Sequence, residues 1–429
     1  MNENINKNAL FYGSCFALIT TAFSFSIRAG ILPQLGEEFG LTAEQLGFIN
    51  SMWFLGFPIS MVIGGLVYHT VGGKTIMNIA FLAHTVGILM TIYAGGYTTL
   101  LISTLLIGIG NGCTEAACNP MIADTYSGLK MNKMLNRFHM WFPGGLLIGS
   151  LISKFMTDGG IIVGDFEWIF LPTFSWEAQI WVIMIPTIIY AVLFFGKTFP
   201  KAKVEGATSL AENAKAMLSP VFIFLFVAMA LTAITEFGPG QWVTFILGAS
   251  GADPLLVIAL TYGVVTVARY FAGPVVGSLG QTGVLLGGAI LAAIGIYLFS
   301  TVTGPIAYLA AIIFGLGYGY FWPVMIGATA QRVPLSSALG MSVIGAVGMF
   351  SSAIFQPVIG GWIDGARAAN VAEGLSGDAL ELAVGQDALQ NMLIFPVILI
   401  VLFTIFFFWQ KNSKKAVPEE EKMTAEYSS

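Results

Sequence analysis

Apolar runs, each closed by a short polar or glycine-rich joint, recur from one end of the chain to the other. A membrane-spanning helix needs about 20 predominantly apolar residues. Set against their breaks, the runs predict twelve spans, over 9–34, 45–69, 74–95, 97–127, 132–156, 177–198, 219–247, 253–279, 282–303, 305–331, 336–363 and 389–411. The first run is too long for a signal-peptide core and has no small-residue cleavage site, so no cleavable leader is expected. Residues 412–429 are polar and predicted to be disordered.

Composition points the same way. The chain is 56% hydrophobic and 10% charged, where a soluble domain carries about 25% charged residues. The predicted class is an all-α polytopic membrane protein.

Charge then sets the orientation. Of the 18 Lys and Arg, 14 fall in loops and ends that lie on one side if both termini are cytoplasmic, among them Lys74, Lys130, Lys197, Lys201 and Lys215. Only Lys154 and Arg367 fall on the other side, among many acids, and Arg28 and Arg269 remain within spans. This bias predicts a multi-pass protein of a plasma (inner) membrane with both ends inside.

The longest cytoplasmic connection, 199–218, divides the spans six and six: a first bundle over 1–198 and a second over 219–411. The halves read as repeats. Gly65 and Gly72 bracket the joint of spans 2 and 3, and Gly273 and Gly280 bracket that of spans 8 and 9. GIGNG (108–112) in span 4 answers GLGYG (315–319) in span 10, and Leu135 to Gly144 answers Leu339 to Gly348. The offsets of 208, 207 and 204 residues agree on one duplication, and paired six-helix halves are a transporter architecture. The 51 glycines, many in GxxxG-like spacing, let helix backbones approach closely in lipid.

Ionisable residues inside the spans mark candidate chemistry, because an intramembrane charge is costly and faces the bundle interior or a wet cavity. In span 4, Asn111, Glu115 and Asn119 recur at i and i+4 and share one face. Pro120 frees the Ala116 carbonyl beside them. In span 1, Thr21, Ser24 and Arg28 share a face. Arg28 either pairs with Glu115, binds substrate, or snorkels to the outer interface. Span 7 places Thr232 and Glu236 on one face ahead of Gly238-Pro239-Gly240, where a helix break is expected. Gln241 and Trp242 follow, the tryptophan either stacking on a sugar ring or anchoring at the interface. Span 5 offers Asn136, His139 and Trp141, with His139 able to titrate near neutral pH. Span 10 offers Tyr320 and Trp322, and span 11 offers Gln356. His84 in span 3 has no polar company and reads as structural.

Several classes are excluded. The three cysteines lie in spans, and no His/Cys spacing fits a metal site. GIGNG and GLGYG lie within apolar runs and lack the strand–helix context of nucleotide loops. No nucleophile–base set or sizeable soluble output domain is visible, against an enzyme or receptor. No cofactor and no nucleic-acid partner are expected. A single chain holding a whole pathway predicts a monomer in the bilayer.

The segment GLVYHTVGGK (65–74) is similar to the loop signature Gly-x-x-x-Asp-Arg-x-Gly-Arg-Lys of the major facilitator superfamily, which the chain resembles over 9–411. Gly65, Gly72 and Lys74 fit; His69 stands at the acid, with Thr70 and Gly73 at the two arginines. The resemblance implies twelve helices in two six-helix pseudo-repeats and a gating role for Gly65, His69, Gly72 and Lys74. Within the superfamily, TEAACNP (114–120), Leu135-Asn136 and LPQ (32–34) resemble the fucose/hexose–proton symporters. That likeness implies that Glu115 recognises sugar and couples protons. The acid that precedes LPQ in that group is absent here, where Arg28 and Ala29 stand instead.

The resulting expectation is proton-coupled symport of a hexose or related sugar by alternating access. Glu115, Arg28 and His139 would carry proton coupling. Arg28, Asn111, Glu115, Asn119, Asn136, Trp141, Glu236, Gln241, Trp242, Tyr320, Trp322 and Gln356 would line the substrate site. The alternative is a carrier of anionic solutes such as sugar acids, with Arg28 as the anion clamp.

Overall fold

The computed structural model describes residues 5–126, 128–163, 166–201 and 210–414. The side chain of Asn136, linker residues 202–209 and tail residues 415–429 lie outside the described residues.

In lipid every backbone polar group must be satisfied within the chain, so spanning segments are helical. Helix α1 (Lys7–Phe39) is started by the Asn6 side chain accepting from the Ala9 amide, and Gly40 ends it with φ 60°. A capping box of Thr42 and Gln45 opens α2 (Ala43–Ile92), which contains spans 2 and 3 joined at Gly72. Then follow α3 (Tyr97–Thr125), α4 (Gly128–His139) and α5 (Trp141–Asp158). A hairpin of β1 (Gly160–Val163) and β2 (Phe166–Ile169), not foreseen from sequence, precedes α6 (Trp176–Phe194).

A short helix α7 (Leu210–Met217) leads into α8 (Pro220–Leu247), α9 (Pro254–Tyr270) and α10 (Ala272–Phe299). Next come α11 (Ile306–Tyr318), α12 (Phe321–Arg332), α13 (Ser337–Ala372), α14 (Gly377–Met392) and α15 (Ile394–Lys414).

Among the described residues, nine helical stretches are long and apolar enough to cross a membrane. Because α2 contains two spans, and α4–α5 and α9 supply two more in shorter pieces, the count is twelve. The glycine joints recur in backbone detail: Gly72 has φ 78°, ψ 152° and Gly280 has φ 68°, ψ 161°. Both conformations are ones that side-chain-bearing residues avoid.

Without a hydrophobic drive between helices, packing rests on close approach of small residues. A Cβ at Gly112 would lie 2.0 Å from the Phe57 carbonyl, and one at Gly317 would lie 2.4 Å from the Ala292 amide. GIGNG and GLGYG therefore do the same work, seating α3 on α2 and α11 on α10.

Two expectations change. Gly238-Pro239-Gly240 does not break α8, which stays helical from Pro220 to Leu247. Lys154, counted with the outer-side cations, is fully buried and paired with Asp158 and with Asp253 of α9.

Candidate functional site

The two halves meet chiefly through α2 with α13, α5 with α9 and α1 with α8, at the end the charge asymmetry assigns as outer. Asp364 of α13 accepts from the Ala43 and Glu44 amides at the start of α2. The Lys154–Asp253 pair joins α5 to α9. Two further bonds use carbonyls that a proline has released from the helix ladder, because proline removes the amide four residues on. Pro33 frees Ala29, whose carbonyl accepts from the Thr244 hydroxyl at 3.0 Å. Pro357 frees Ala353, whose carbonyl accepts from the Ser51 hydroxyl at 2.6 Å.

Arg28 lies in this outer layer, 5% exposed. Its Nε donates to Asn50 Oδ1 at 2.9 Å and its Nη2 to Gln241 Oε1 at 3.0 Å. Gln241 in turn donates from Nε2 to the Phe25 carbonyl. The guanidinium also sits over the Trp53 ring, 5.6 Å from its centroid, a cation–π arrangement. These partners are all neutral. Among the described residues no carboxylate forms a salt bridge with Arg28.

Inward of Arg28 runs a chain of polar side chains. Trp53 Nε1 donates to Ser24 Oγ at 2.8 Å, and Asn111 Nδ2 donates to the same oxygen at 3.3 Å. Since the Asn111 amide nitrogen is thus used, its Oδ1 accepts from His84 Nε2 at 2.9 Å. His84 Nδ1 lies 3.0 Å from the Tyr190 hydroxyl, which donates to it when the imidazole is neutral. His84 therefore has polar company that its sequence neighbours hid.

The Ser24–Asn111 bond also fixes levels in the membrane. Arg28 lies one turn outward of Ser24, and Glu115 one turn inward of Asn111. At 1.5 Å per residue the two are about 12 Å apart along the axis. Glu115 does not pair with Arg28. Its Oε2 accepts from Asn119 Nδ2 at 2.5 Å, and the carboxylate is half-buried.

The second half brings its own buried charge pair. Arg269 of α9 donates from Nη2 to Glu236 Oε1 at 3.4 Å and from Nε to the Gly319 carbonyl at 2.9 Å. Gly319 stands where α11 gives way to α12. Arg269 was visible as an intramembrane arginine, but its partner lies 33 residues away on another helix.

Several predicted residues carry buried polar atoms with no protein partner: Glu236 Oε2, Trp242 Nε1, Asn119 Oδ1 and both side-chain heteroatoms of Gln356. Buried polar groups are nearly always bonded, so these mark unused hydrogen-bonding capacity. Trp242 is wholly buried, with its ring edge-on to Phe245, rather than at a membrane interface.

Trp322 is half-buried and meets Phe237, which also packs on Phe25 and Phe54. This aromatic layer joins the halves. Tyr320 belongs to the buried core and Trp141 packs partly buried against it. His139 is exposed at the end of α4 beside the Phe138 ring, apart from the Ser24–Asn111 chain. Of the loop residues, Gly65, His69 and Lys74 are exposed, and Gly72 forms the turn.

The Major Facilitator Superfamily model matches residues 14–356. A hexuronate transporter of Bacillus subtilis is 29% identical over 191 residues, 44% of this chain and 41% of that protein. The chloroplastic sodium-dependent phosphate transport protein 1 of Arabidopsis thaliana is 24% identical over 146 residues, 33% of this chain and 28% of that one. These matches span less than half of either relative's length. In three dimensions the fold resembles a bacterial homologue of the human lysosomal transporter Spinster in its inward-facing, unoccupied conformation. The TM-score is 0.73 at 17% identity, with coverage of 94% of this chain and 97% of that one.

Proposed function

The chain belongs to the Major Facilitator Superfamily and is a membrane transporter rather than an enzyme; from that premise we propose that it carries a small organic anion of the sugar-acid class. The observation that carries this reading is Arg28, buried among neutral amides and one indole. Arginine stays charged in proteins, and a buried cation without a countercharge is unfavourable unless an anion joins it. A carboxylate matches the guanidinium fork in a bidentate way. Asn50 and Gln241 orient the fork without neutralising it. The unused heteroatoms of Gln356 and Asn50 Nδ2 supply donors and an acceptor suited to sugar hydroxyls. The relatives named for hexuronate and phosphate transport agree in the sign of their cargo.

Glu115 is the proton carrier in this reading. An intramembrane acid that is half-buried has an aqueous approach, and with the outer layer closed that approach comes from the cytoplasm. Two alternating openings around a midplane site then move cargo and proton together.

Uptake into proteoliposomes under an inward proton gradient tests the proposal, with hexuronates, amino sugars and neutral hexoses compared. Accumulation of hexuronates, unaffected by excess neutral hexose, is the expected result. Accumulation of neutral hexoses alone overturns it and favours the proton–hexose reading, which rests on the TEAACNP motif around Glu115. In either case Glu115→Gln is expected to abolish gradient-driven accumulation while counterflow exchange persists. Undiminished accumulation in that variant removes Glu115 from the coupling step.

A further inference from the structure

At the inner end, the turn between spans 2 and 3 and the chain leaving α6 enclose a cleft of about 580 Å³. Tyr68, His69, Gly73 and Lys74 form one wall; Lys197 and Lys201 form the other. The position where the superfamily signature has an acid is His69, so the turn brings no negative charge of its own to Lys74. Among the described residues no aspartate or glutamate lines the cleft. Among the described residues none of the three lysines makes a salt bridge. Asp124 stands behind the Tyr68 wall, where the Tyr68 hydroxyl donates to its Oδ2 at 3.0 Å.

Three like charges drawn from two separate segments into one cleft repel each other. Their convergence is relieved by an anion shared between the segments. The cleft volume falls within the range of small-molecule sites, and basic pockets at the cytoplasmic ends of transmembrane helices suit phosphate headgroups. We infer that this cleft binds a phosphate-bearing anion that bridges Lys74 to Lys197 and Lys201, taking the place of the missing acid at position 69. The inference is independent of the cargo, since the cleft lies at the inner surface and away from Arg28.

Two sources present the same phosphate: an anionic phospholipid of the inner leaflet, or free phosphate in the cytoplasm. The full chain is placed in nanodiscs of phosphatidylcholine, with or without phosphatidylglycerol, and inorganic phosphate is titrated into the first set. Lipid retention is read by native mass spectrometry and stability by the unfolding temperature. Retention of phosphatidylglycerol with a raised unfolding temperature identifies the lipid. The same rise from inorganic phosphate in pure phosphatidylcholine identifies the free anion.

The triple variant Lys74→Gln, Lys197→Gln, Lys201→Gln is expected to weaken binding by about a hundredfold or more, given the usual strength of a lysine beside an anionic surface. The triple Lys→Arg variant keeps it, and Lys130→Gln, outside the cleft, changes nothing. Two results overturn the inference. One is no response to either anion; the other is a triple Gln variant that binds within about twofold of the parent.

Discussion

Two arginines lie inside the spans, one in each half, and they are held in opposite ways. Arg269 has a carboxylate partner, Glu236, and a carbonyl, Gly319, and its side chain is 23% exposed. Arg28 is more deeply buried, and its partners among the described residues are neutral. A charge neutralised from within the protein is free to act as structure. A charge oriented but not neutralised is, in the proposed function, available to an arriving anion, which gains what the protein has withheld. On the proposed reading the difference places recognition of the cargo's charge in the first half, while the second half has a pair that ties α8 to the joint between α11 and α12.

The largest effect expected from this contrast is at Arg28. Arg28→Gln removes the charge the cargo is proposed to meet, and loss of one partner of a buried charge pair costs about 2–5 kcal/mol. Sugar-acid uptake should fall by about two orders of magnitude or more, while the unfolding temperature holds or rises because a buried cation is gone. A variant with parental uptake makes Arg28 a packing residue and ends the contrast.

Next in size is Glu236→Leu, which leaves Arg269 unpaired. Breaking a buried pair costs about 3–5 kcal/mol, and the partial exposure of Arg269 reduces this to about 2 kcal/mol. Here the loss should show as a lower unfolding temperature, with the charge preference of transport unchanged. If instead the variant is stable but accepts neutral sugars, recognition belongs to both halves.

Asn50→Ala is milder. The Arg28 Nε loses one acceptor, worth about 1.5–3 kcal/mol for a hydrogen bond to a charged group. The expected readout is a KM raised by about tenfold with little change in maximal rate. A fall in maximal rate at constant KM would mean that Asn50 serves closure rather than cargo.

The smallest effect comes from an arginine–carboxylate pair outside the membrane-spanning segments, Arg367 with Glu381. It is bidentate but more than a third exposed. Its hydrogen bonds hold the Glu381 carboxyl below the ordinary 4.5 and raise Arg367. A lowered carboxylate contributes stability above its unfolded value, and that contribution is lost as pH falls through the lowered folded value. Exposed pairs give about 0–1 kcal/mol. Arg367→Ala should therefore lower the unfolding temperature slightly at pH 7 and not at all in acid well below 4.5. A large effect at pH 7 would show that exposure is a poor guide to how these arginines act.

Much of this molecule can be read in its sequence because lipid narrows the options. Long apolar runs can only be helices, and positive-φ glycines such as Gly72 and Gly280 sit where the runs join. Arg28 and Glu115 stand out because charges are rare in spans. Their partners do not. The Arg28–Gln241 bond crosses 213 residues and the His84–Tyr190 bond 106, so both depend on how helices pack rather than on local spacing. Nor does Gly238-Pro239-Gly240 break α8. In lipid an unwound turn leaves backbone groups unsatisfied, and a proline that frees one carbonyl is the lesser cost. The span patterns also say nothing of depth, which is why the separation of about 12 Å between Arg28 and Glu115 emerges only once Ser24 meets Asn111.

The two proline-released carbonyls of the outer layer have a consequence for speed. A carbonyl inside an intact helix ladder already accepts from its own amide and offers a partner only its second lone pair. Those of Ala29 and Ala353 have no such amide, because Pro33 and Pro357 stand four residues on. In the proposed alternating-access cycle the halves part here, Thr244 and Ser51 leave these carbonyls, and water takes the place of each hydroxyl. Each such exchange shifts the balance by only about 0.5–1.5 kcal/mol. Opening these bonds is a wetting rather than a rupture, with the helices left whole on either side.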